Sequence, residues 1–346
     1  MILVTGGSGK LARRVLELLL QQGAGPLATT TRDPDRLADL AARGVAVRIL
    51  RRPTSRLDAL EGLSYEEAIG DVLDEEAVRR AIDGCDWVFH AAGTADYWRS
   101  GLDRLYRVNV EGTRTVMAAA LDAGVARVVH TSSVAALGPP PPGALGDETL
   151  QFSLRPEQFR YGHSKYLGEQ EVRQAIARGL PAVIVNPCVI LGPRDVNFIS
   201  GSLVREVARH WVPISLPGGM NLVNVEAVAA GHVAVAERGR CGERYILGGV
   251  NLTHTEILRL VARVVGQRPP LVEVPAWLVP PLAGALAVLE RAWPRRLPLS
   301  AEQLRLATHT FFYSSRKATE ELGLPTTDPE ATIRQTVDWY RSHGML

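Results

Sequence analysis

The sequence opens with Ile2-Leu3-Val4-Thr5-Gly6-Gly7-Ser8-Gly9, where a short apolar run leads directly into a glycine-rich turn. The next segment, Lys10 to Gln22, repeats apolar residues at helical spacing. A strand, a glycine turn and a helix in this order bind the pyrophosphate of a dinucleotide. The glycines let backbone N–H groups approach the phosphates, and the helix N-terminus carries partial positive charge. Ala12 replaces the third glycine of this fingerprint and still permits close helix–strand packing. The stretch therefore predicts a dinucleotide-binding loop at the start of an α/β fold.

Strands and helices continue to alternate beyond this loop. Apolar runs at Trp87 to His90, Val125 to His130 and Ala182 to Val185 are typical of buried parallel strands. This alternation predicts a doubly wound parallel Rossmann sheet. We assign residues 1–187, with strand and helix returns near 221–248, to that NAD(P)-binding domain. Residues 188–220 and 249–346 are predicted to form a smaller C-terminal substrate-binding α/β region.

Two segments compete to be the second strand of the sheet. Leu27 to Thr31 comes soon after the first helix and leads into Arg32, whereas Val45 to Leu50 is followed closely by Arg52. An arginine after this strand accommodates the 2′-phosphate of NADP, whereas an acidic residue there binds the ribose of NAD. We favour Arg32, because its strand needs the shorter connection, and keep Arg52 as the alternative. Either arginine favours NADP(H) as the cofactor, with NAD(H) as the second choice.

A candidate catalytic pair lies in Tyr161-Gly162-His163-Ser164-Lys165. Residues four apart on a helix project from one face, so Tyr161 and Lys165 are predicted to lie side by side. A neighbouring ammonium stabilises a phenolate, and Lys165 is therefore expected to lower the pKa of Tyr161 toward working pH. Such a tyrosine exchanges a proton with an alcohol or carbonyl oxygen. The hydroxyls of Thr131-Ser132-Ser133 follow another predicted strand and would lie at the same carboxyl edge of the sheet.

The composition argues against several other classes of protein. The 346 residues are 46% hydrophobic and 22% charged, which is ordinary for a soluble globular protein. The formal net charge is +2 with acidic and basic residues interleaved, so we predict neither a nucleic-acid partner nor an anionic-membrane surface. Cys85, Cys188 and Cys241 lack metal-ligand spacing. They indicate reduced thiols in a cytoplasmic protein, with neither disulfide nor metal.

One apolar segment requires a separate explanation. Val274 to Leu289 holds no charged residue over 16 positions, but prolines interrupt it and it is too short for a membrane-spanning helix. We predict a helix over Trp277 to Trp293 that closes the substrate pocket or pairs with a second subunit as a homodimer. Attachment to one membrane leaflet through this segment is the alternative left open.

Together these motifs resemble a known family. The chain is similar over essentially its whole length to the extended short-chain dehydrogenase/reductases of the NAD-dependent epimerase/dehydratase family. From about Arg51 onward it looks most like the dihydroflavonol-reductase-like branch, close to bacterial hopanoid-associated sugar epimerases. Ala28 to Val47 looks more like the quinone-reductase-like branch. The motifs that carry the resemblance are Thr5-Gly6-Gly7-Ser8-Gly9, Gly70-Asp71-Val72, His90-Ala91-Ala92-Gly93, Asn109-Val110-Glu111-Gly112-Thr113, Thr131-Ser132-Ser133, Tyr161-Gly162-His163-Ser164-Lys165 and Asn186-Pro187, with residues 240–249 and 311–315 for the narrower match.

The resemblance implies roles for individual residues. Tyr161 would be the general acid/base, Lys165 would tune it and bond the nicotinamide ribose, and Ser133 would bond the substrate oxygen. Asp71 would contact the adenine. The residues implied to bind the cofactor are Gly6, Ser8, Gly9, Lys10, Leu11, Arg32, Arg52, Asp71, Val72, Ala91, Ala92, Lys165 and Pro187.

Three functions are compatible with these features. The first is an NADP(H)-dependent oxidoreductase that reduces a small or medium carbonyl, or oxidises the alcohol, by hydride transfer. The second is a nucleotide-sugar epimerase or dehydratase holding NAD, although a dehydratase of this family usually has an acidic pair where Ser132 and Ser133 stand. The third is a non-catalytic NADP-binding sensor, which would not need Ser133, Tyr161 and Lys165.

The substrate region offers only weak signals. Large side chains in its loops would overhang the nicotinamide and either fill the core of that region or contact the substrate. These side chains are Tyr97, Trp98, Phe198, Trp211 and Met220.

Overall fold

A computed structural model of the chain describes residues 1–6, 9–22, 46–55, 60, 62–95, 101–292 and 300–346. Its main feature is a sheet of seven strands, and every pairing in it is parallel. In chain order the strands are β1 (Ile2–Thr5), β2 (Val47–Arg51), β3 (Glu66–Ile69), β4 (Trp87–His90), β5 (Arg127–Thr131), β6 (Ala182–Pro187) and β10 (Arg244–Leu247). In space they lie in the order β10-β6-β5-β4-β1-β2-β3.

Helices cover both faces of this sheet, so the predicted doubly wound α/β fold is confirmed. In β1, Ile2 and Val4 belong to one apolar cluster and Leu3 to the other, because alternate side chains of a strand point to opposite faces. The helices of the described residues are α1 (Lys10–Gln22), α2 (Glu75–Ile82), α3 (Leu102–Tyr106), α4 (Gly112–Asp122), α5 (Arg160–Ala177), α6 (Ser202–Arg209), α7 (Val225–Arg238), α8 (His254–Val265), α9 (Val279–Ala292), α10 (Ala301–Leu306), α11 (Arg316–Leu322) and α12 (Pro329–Ser342).

The neighbours of β1 correct the favoured assignment of the second strand. One edge of β1 pairs with β2, where Ile2 is opposite Val47, and the other edge pairs with β4, where Ile2 is opposite Trp87. Both edges of β1 are therefore taken, and the strand next to it is the one that we kept as the alternative. The favoured segment, Leu27 to Thr31 with Arg32, lies outside the described residues.

A smaller sheet is formed by strands that lie both before and after β10 in the chain. Its strands are β7 (Val189–Leu191), β9 (Gly219–Asn224), β11 (Val250–Thr253) and β13 (Thr310–Phe311), and a separate ribbon pairs β8 (Ile214–Ser215) with β12 (Val272–Glu273). Only Cys188 separates β6 from β7, so the chain passes directly from the large sheet into the small one. The cleft described below opens at this passage. The assignment of the two parts to cofactor and substrate remains a prediction.

The apolar segment near the C-terminus forms α9, as expected, although the helix begins two residues later than predicted, at Val279. No helix in the described ranges combines the length and the hydropathy needed to cross a bilayer.

Candidate cofactor and active site

The carboxyl ends of the central strands open into one cleft of about 980 Å³. Ligands of open α/β sheets bind at this edge. Two of the predicted site residues, Ser8 and Arg32, lie outside the described residues. The others that line the cleft are Gly6, Gly9, Lys10, Leu11, Arg52, Asp71, Val72, Ala91, Ala92, Ser133, Tyr161, Lys165 and Pro187.

Gly6 fixes the geometry of the loop after β1. Its φ is +70°, and a Cβ atom placed on it would lie 2.8 Å from the backbone nitrogen of Ala92. Only glycine allows this left-handed conformation together with so close an approach. The loops after β1 and β4 therefore meet with no side chain between them, which leaves backbone groups accessible to a ligand. These residues fit a dinucleotide cofactor.

The far end of the cleft carries two arginines, Arg51 at the end of β2 and Arg52 directly after it. The guanidinium of Arg51 is bound by the carboxylate of Glu67 and donates a hydrogen bond to the carbonyl oxygen of Arg52, 3.1 Å away. The Arg52 side chain is exposed and has no carboxylate partner among the described residues. Asp71 follows β3 on the same rim of the cleft, and its Oδ1 accepts from the backbone N–H of Leu73 at 3.1 Å. Arg52 is thus the arginine that is available to an anionic group here.

The first residue of α1 connects the two parts of the molecule. Lys10 Nζ donates to Asp195 Oδ2 at 3.0 Å and to the carbonyl oxygen of Ile190 at 2.9 Å. Burial lowers the pKa of Lys10, whereas Asp195 raises it. Burial would raise the pKa of Asp195, but Lys10 and the backbone donors of Ile199 and Gly201 hold it below its usual value. Each group therefore stabilises the charged form of the other, at the edge of the glycine loop.

Ser133 and Tyr161 come together because α5 approaches the turn after β5 closely. A Cβ atom on Gly162 would lie 2.5 Å from the carbonyl oxygen of Ala135, so this approach requires glycine. The Ser133 hydroxyl is close enough to the Tyr161 phenol to stabilise its anionic form by hydrogen bonding. Ser133 Oγ also accepts from the backbone N–H of Ala135 at 3.2 Å. Both side chains line the cleft.

Lys165 lies one turn after Tyr161, as predicted, but its ammonium is directed elsewhere. Nζ donates to the carbonyl oxygen of Thr131 at 3.0 Å and lies close to Gly93, on the ribose side of the predicted cofactor position. Burial lowers the pKa of Lys165 to about 8, and the carboxylate of Glu169 opposes that shift.

The expected lowering of the Tyr161 pKa by Lys165 is therefore not found. Burial raises the pKa of Tyr161, and the hydrogen bond with Ser133 opposes the rise. The helical spacing predicted the shared face correctly, but it carried no information on where the flexible lysine side chain would end.

Asn109 is a site residue to which sequence reasoning gave no role. It lies on a π-helical turn, Arg107–Glu111, and is buried. Its side chain accepts from Thr94 N at 2.9 Å, and donates to Thr94 O and Ser164 Oγ at 3.0 Å each. Ser164 Oγ in turn donates to the carbonyl oxygen of Tyr161 at 2.8 Å. Asn109 therefore joins the loop after β4 to the first turn of α5. The feature that marks Asn109 is the π-helical turn that carries it, and the sequence motif alone does not reveal this turn.

Two buried histidines lie behind the lysine. His90 Nδ1 hydrogen-bonds with Thr5 Oγ1 at 2.8 Å and Nε2 with Thr113 Oγ1 at 3.1 Å. Burial and, to a smaller extent, the Lys165 ammonium together lower the pKa of His90 to about 3. The ring of His130 lies 5.2 Å from that of His90, and its pKa is also lowered well below the usual value by burial, His90 and Lys165. Both rings are therefore neutral.

An apolar wall continues from Tyr161 into the smaller sheet. The ring of Phe159 lies 6.3 Å from that of Tyr161 and 5.7 Å from that of Phe311. Phe311 is opposite Met220 in the pairing of β13 with β9, and Leu306 also lines the cleft. We call Phe159, Met220, Leu306 and Phe311 the apolar wall. Sequence reasoning gave Phe159 and Phe311 no role, because their meeting depends on segments far apart in the chain.

The other large side chains proposed for the substrate region have different positions. Met220 lines the cleft. Phe198 packs against Tyr340 with 4.8 Å between ring centroids, so it belongs to the core of that region. Trp211 is partly exposed, and its Nε1 donates weakly to Pro269 O at 3.4 Å. Tyr97 and Trp98 lie outside the described residues.

Known proteins resemble this chain in sequence and in fold. Residues 2–248 match the NAD dependent epimerase/dehydratase family. A putative dihydroflavonol 4-reductase of Synechocystis sp. is 32% identical and covers 99% of this chain and 95% of its own. Sterol demethylase protein B of Methylococcus capsulatus is 32% identical over 99% of both chains. The crystal structure of gox2253 superposes with a TM-score of 0.84 at 33% identity, covering 100% of this chain and 99% of its own.

Proposed function

The chain belongs to the NAD dependent epimerase/dehydratase family, of the extended short-chain dehydrogenase/reductase type, and on that basis we propose that it is an NADP(H)-dependent reductase of an apolar carbonyl compound. The observation that carries this proposal is the placement of the Ser133 and Tyr161 hydroxyl groups between the glycine loop and the apolar wall. A carbonyl substrate needs a proton donor beside the cofactor, and this position offers one.

The cofactor would lie along the carboxyl edge of the sheet. The loop at Gly6 and the N-terminus of α1 suit its pyrophosphate, because the first N–H groups of a helix have no intrahelical partner and the helix dipole favours an anion there. Arg52 suits a 2′-phosphate, since a guanidinium binds phosphate through paired hydrogen bonds and charge. Lys165 and Gly93 suit the ribose next to the nicotinamide. When bound, the nicotinamide supplies or accepts the hydride.

The chain's own residues supply binding and the proton. The hydroxyls of Ser133 and Tyr161 would both donate to the carbonyl oxygen, which stabilises the negative charge that grows there during reduction. Tyr161 would then give its proton to that oxygen. Its raised pKa keeps the phenol protonated before reaction, which suits a general acid. The Lys165 ammonium, one turn away, would stabilise the phenolate that remains.

The substrate class follows from the wall around the phenol. Its side chains are uncharged, and aromatic or aliphatic groups bind there through burial of apolar surface. A nucleotide sugar would bring a diphosphate that needs cationic partners, and the wall offers none. These features favour an apolar aldehyde or ketone over the epimerase substrate.

Turnover by Tyr161→Phe tests the proposal. Wild type and variant are assayed with NADPH against a panel of apolar aldehydes and ketones, together with UDP-glucose. We expect the best carbonyl to be reduced about 10² to 10⁴ times more slowly by the variant, the usual effect of a positioned acid/base. NADPH affinity and thermal unfolding should hardly change. Tyr166→Phe removes a hydroxyl from the next turn of α5, and it should retain wild-type turnover.

Three results would contradict the proposal. Equal rates for wild type and Tyr161→Phe would remove Tyr161 from the chemistry. Turnover of UDP-glucose alone would assign the protein to the epimerases. NADPH binding without any turnover across the panel would indicate a non-catalytic NADP-binding sensor.

A further inference from the structure

The outer face of α9 exposes a continuous apolar surface. Pro281, Leu282, Ala285, Val288 and Leu289 are all exposed. The other four residues follow Pro281 by one, four, seven and eight positions, which places all five on one side of a helix. Helices at the surface of a folded protein normally carry polar residues on this side. This face therefore requires cover that the described part of the chain does not give it.

The inner face of the same helix is apolar as well. Val279 and Ala283 are fully buried against Leu304 of α10. Glu290 is the first charged residue of α9, and it lies on this inner side, where its Oε1 accepts from the backbone N–H of Ala301 at 3.0 Å. The outer face thus has no charge over the first eleven residues of the helix. A helix that is apolar all round is buried or lies in a lipid environment.

Exposed apolar residues concentrate around this helix. Eight of the twelve large hydrophobic side chains that are exposed in the described part of the chain lie between residues 211 and 289. Trp277, just before α9, is 75% exposed, the highest value among them. In the neighbouring ribbon, Ile214 and Val272 are paired and therefore point to the same side, and both are exposed. Monomeric proteins rarely expose so much apolar surface in one region.

We propose that α9 and Trp277 attach the protein to the surface of an anionic lipid bilayer, with α9 lying in the plane of the membrane. At 1.5 Å per residue, its 14 residues are about 21 Å long, too short to cross a hydrocarbon core of about 30 Å.

Charge and residue type select lipid as the partner. The sequence after the outer face contains Arg291, Arg295 and Arg296, with Trp293 among them. Tryptophan at the ends of an apolar helix and arginine close to it are typical of interfacial segments, because the indole bonds at the headgroup level and the cation attracts anionic headgroups. The small net charge of +2 led us to expect no anionic-membrane surface, but it conceals this local cluster.

The position of α9 also suits an apolar substrate. The helix packs on α10, and Leu306 at the end of α10 belongs to the apolar wall. A substrate dissolved in lipid would then reach the cleft over a short distance. This last argument rests on the proposed function, whereas the attachment itself does not.

Vesicle binding without any substrate tests the attachment. The full-length protein is mixed with vesicles of phosphatidylcholine alone or with phosphatidylglycerol at three to one, and bound protein is separated by flotation. We expect wild type to float with the mixed vesicles. Val288→Glu/Leu289→Glu should need at least about tenfold more lipid for half-binding, because two apolar side chains that would be buried in the membrane are replaced by anions. Both positions are exposed, so NADPH binding and the melting temperature should match wild type.

Two further variants separate the causes. Leu145→Glu changes an equally exposed leucine outside this region, and it should bind vesicles like wild type. Arg295→Gln/Arg296→Gln should weaken binding to the phosphatidylglycerol vesicles alone. Wild type that stays with the unbound fraction would overturn the proposal. So would a dimer, seen by light scattering, that Val288→Glu/Leu289→Glu dissociates while neither protein binds lipid, since the face would then belong to a second copy of the chain.

Discussion

Lys10 Nζ and Asp195 Oδ2 are 3.0 Å apart and join the first helix of the large sheet to a loop 185 residues later. The same Asp195 carboxylate accepts from the backbone N–H groups of Ile199, Ser200 and Gly201 at 2.9 to 3.1 Å. One carboxylate therefore orders the loop of the smaller part and holds the cation at the glycine loop. The ion pair therefore connects the glycine loop to the loop that lines the opposite side of the cleft.

Lys10→Met should weaken both stability and cofactor binding. Methionine keeps most of the apolar stem but leaves the Asp195 carboxylate buried without its cation. Breaking such a pair costs on the order of 3 kcal/mol in free energy of unfolding. Loss of a cation beside the pyrophosphate should also raise the NADPH dissociation constant by about tenfold. Urea unfolding and fluorescence titration measure the two effects.

Asp195→Asn is the matched control for Lys10. It removes the same ion pair but keeps the cation at the glycine loop, so stability should fall while NADPH affinity stays within about twofold. If NADPH affinity falls equally in both variants, Lys10 acts only by holding the loop.

Arg52→Ala should remove the preference for NADPH over NADH. A charge-assisted hydrogen bond to phosphate contributes about 1.5–3 kcal/mol, so the NADPH dissociation constant should rise by about 10- to 100-fold. NADH has no 2′-phosphate, and its dissociation constant should not change. The measurement is a titration of both cofactors at one fixed salt concentration. Arg32→Ala tests the other candidate, and loss of selectivity only in that variant would contradict the assignment to Arg52.

The parts of the fold that the sequence predicted are those with local causes. The strand β1, the turn at Gly6 and the first helix follow one another without interruption, and each is marked by its own residues. The spacing of Tyr161 and Lys165 likewise follows from one helix. The family resemblance is confirmed, because it rests on motifs spread along the whole chain.

The parts that the sequence did not predict depend on distant pairing. Leu27 to Thr31 and Val45 to Leu50 both have residues typical of a strand and are followed closely by an arginine, and only pairing with β1 distinguishes them. The direction of Lys165 depends on the carbonyl oxygen of Thr131, 34 residues away. The contact between Phe159 and Phe311 depends on the smaller sheet, because Phe311 lies in its strand β13. Local patterns carry none of this information.

His130→Leu should make the protein more resistant to acid. Both ring nitrogens of His130 are buried without a hydrogen-bond partner in the described structure, so an apolar side chain of similar size should cost little at pH 7. The folded pKa of His130 lies well below its unfolded value of about 6.5. The unfolded chain therefore binds a proton that the folded protein does not, and stability falls as the pH drops below about 7.

Between pH 7 and pH 5, one such histidine costs about 2 kcal/mol in free energy of unfolding. Urea unfolding at both pH values should show that the free energy of unfolding falls by about 2 kcal/mol less in the variant than in wild type. Replacing the exposed His210 by leucine should leave the wild-type loss in place. An identical loss in His130→Leu and wild type would mean that His130 takes up a proton in the folded state.

The pH dependence of reduction should report Lys165. Burial lowers its pKa to about 8, and kcat/KM reports the titrating groups of the free enzyme, so kcat/KM with NADPH as the varied ligand should follow this group. The charged form stabilises the phenolate of Tyr161 and the bound ribose, so kcat/KM should be constant below about pH 8 and fall tenfold per pH unit above it. Lys165→Met removes the cation at every pH. We expect its rate at pH 7 to be lower by about 10² or more and to show no decline near pH 8. In Lys165→Arg the cation persists across this range, so that variant should also lack the decline, whatever its absolute rate. A decline near pH 8 that survives in both variants would assign it to another group and remove Lys165 from the proton-transfer step.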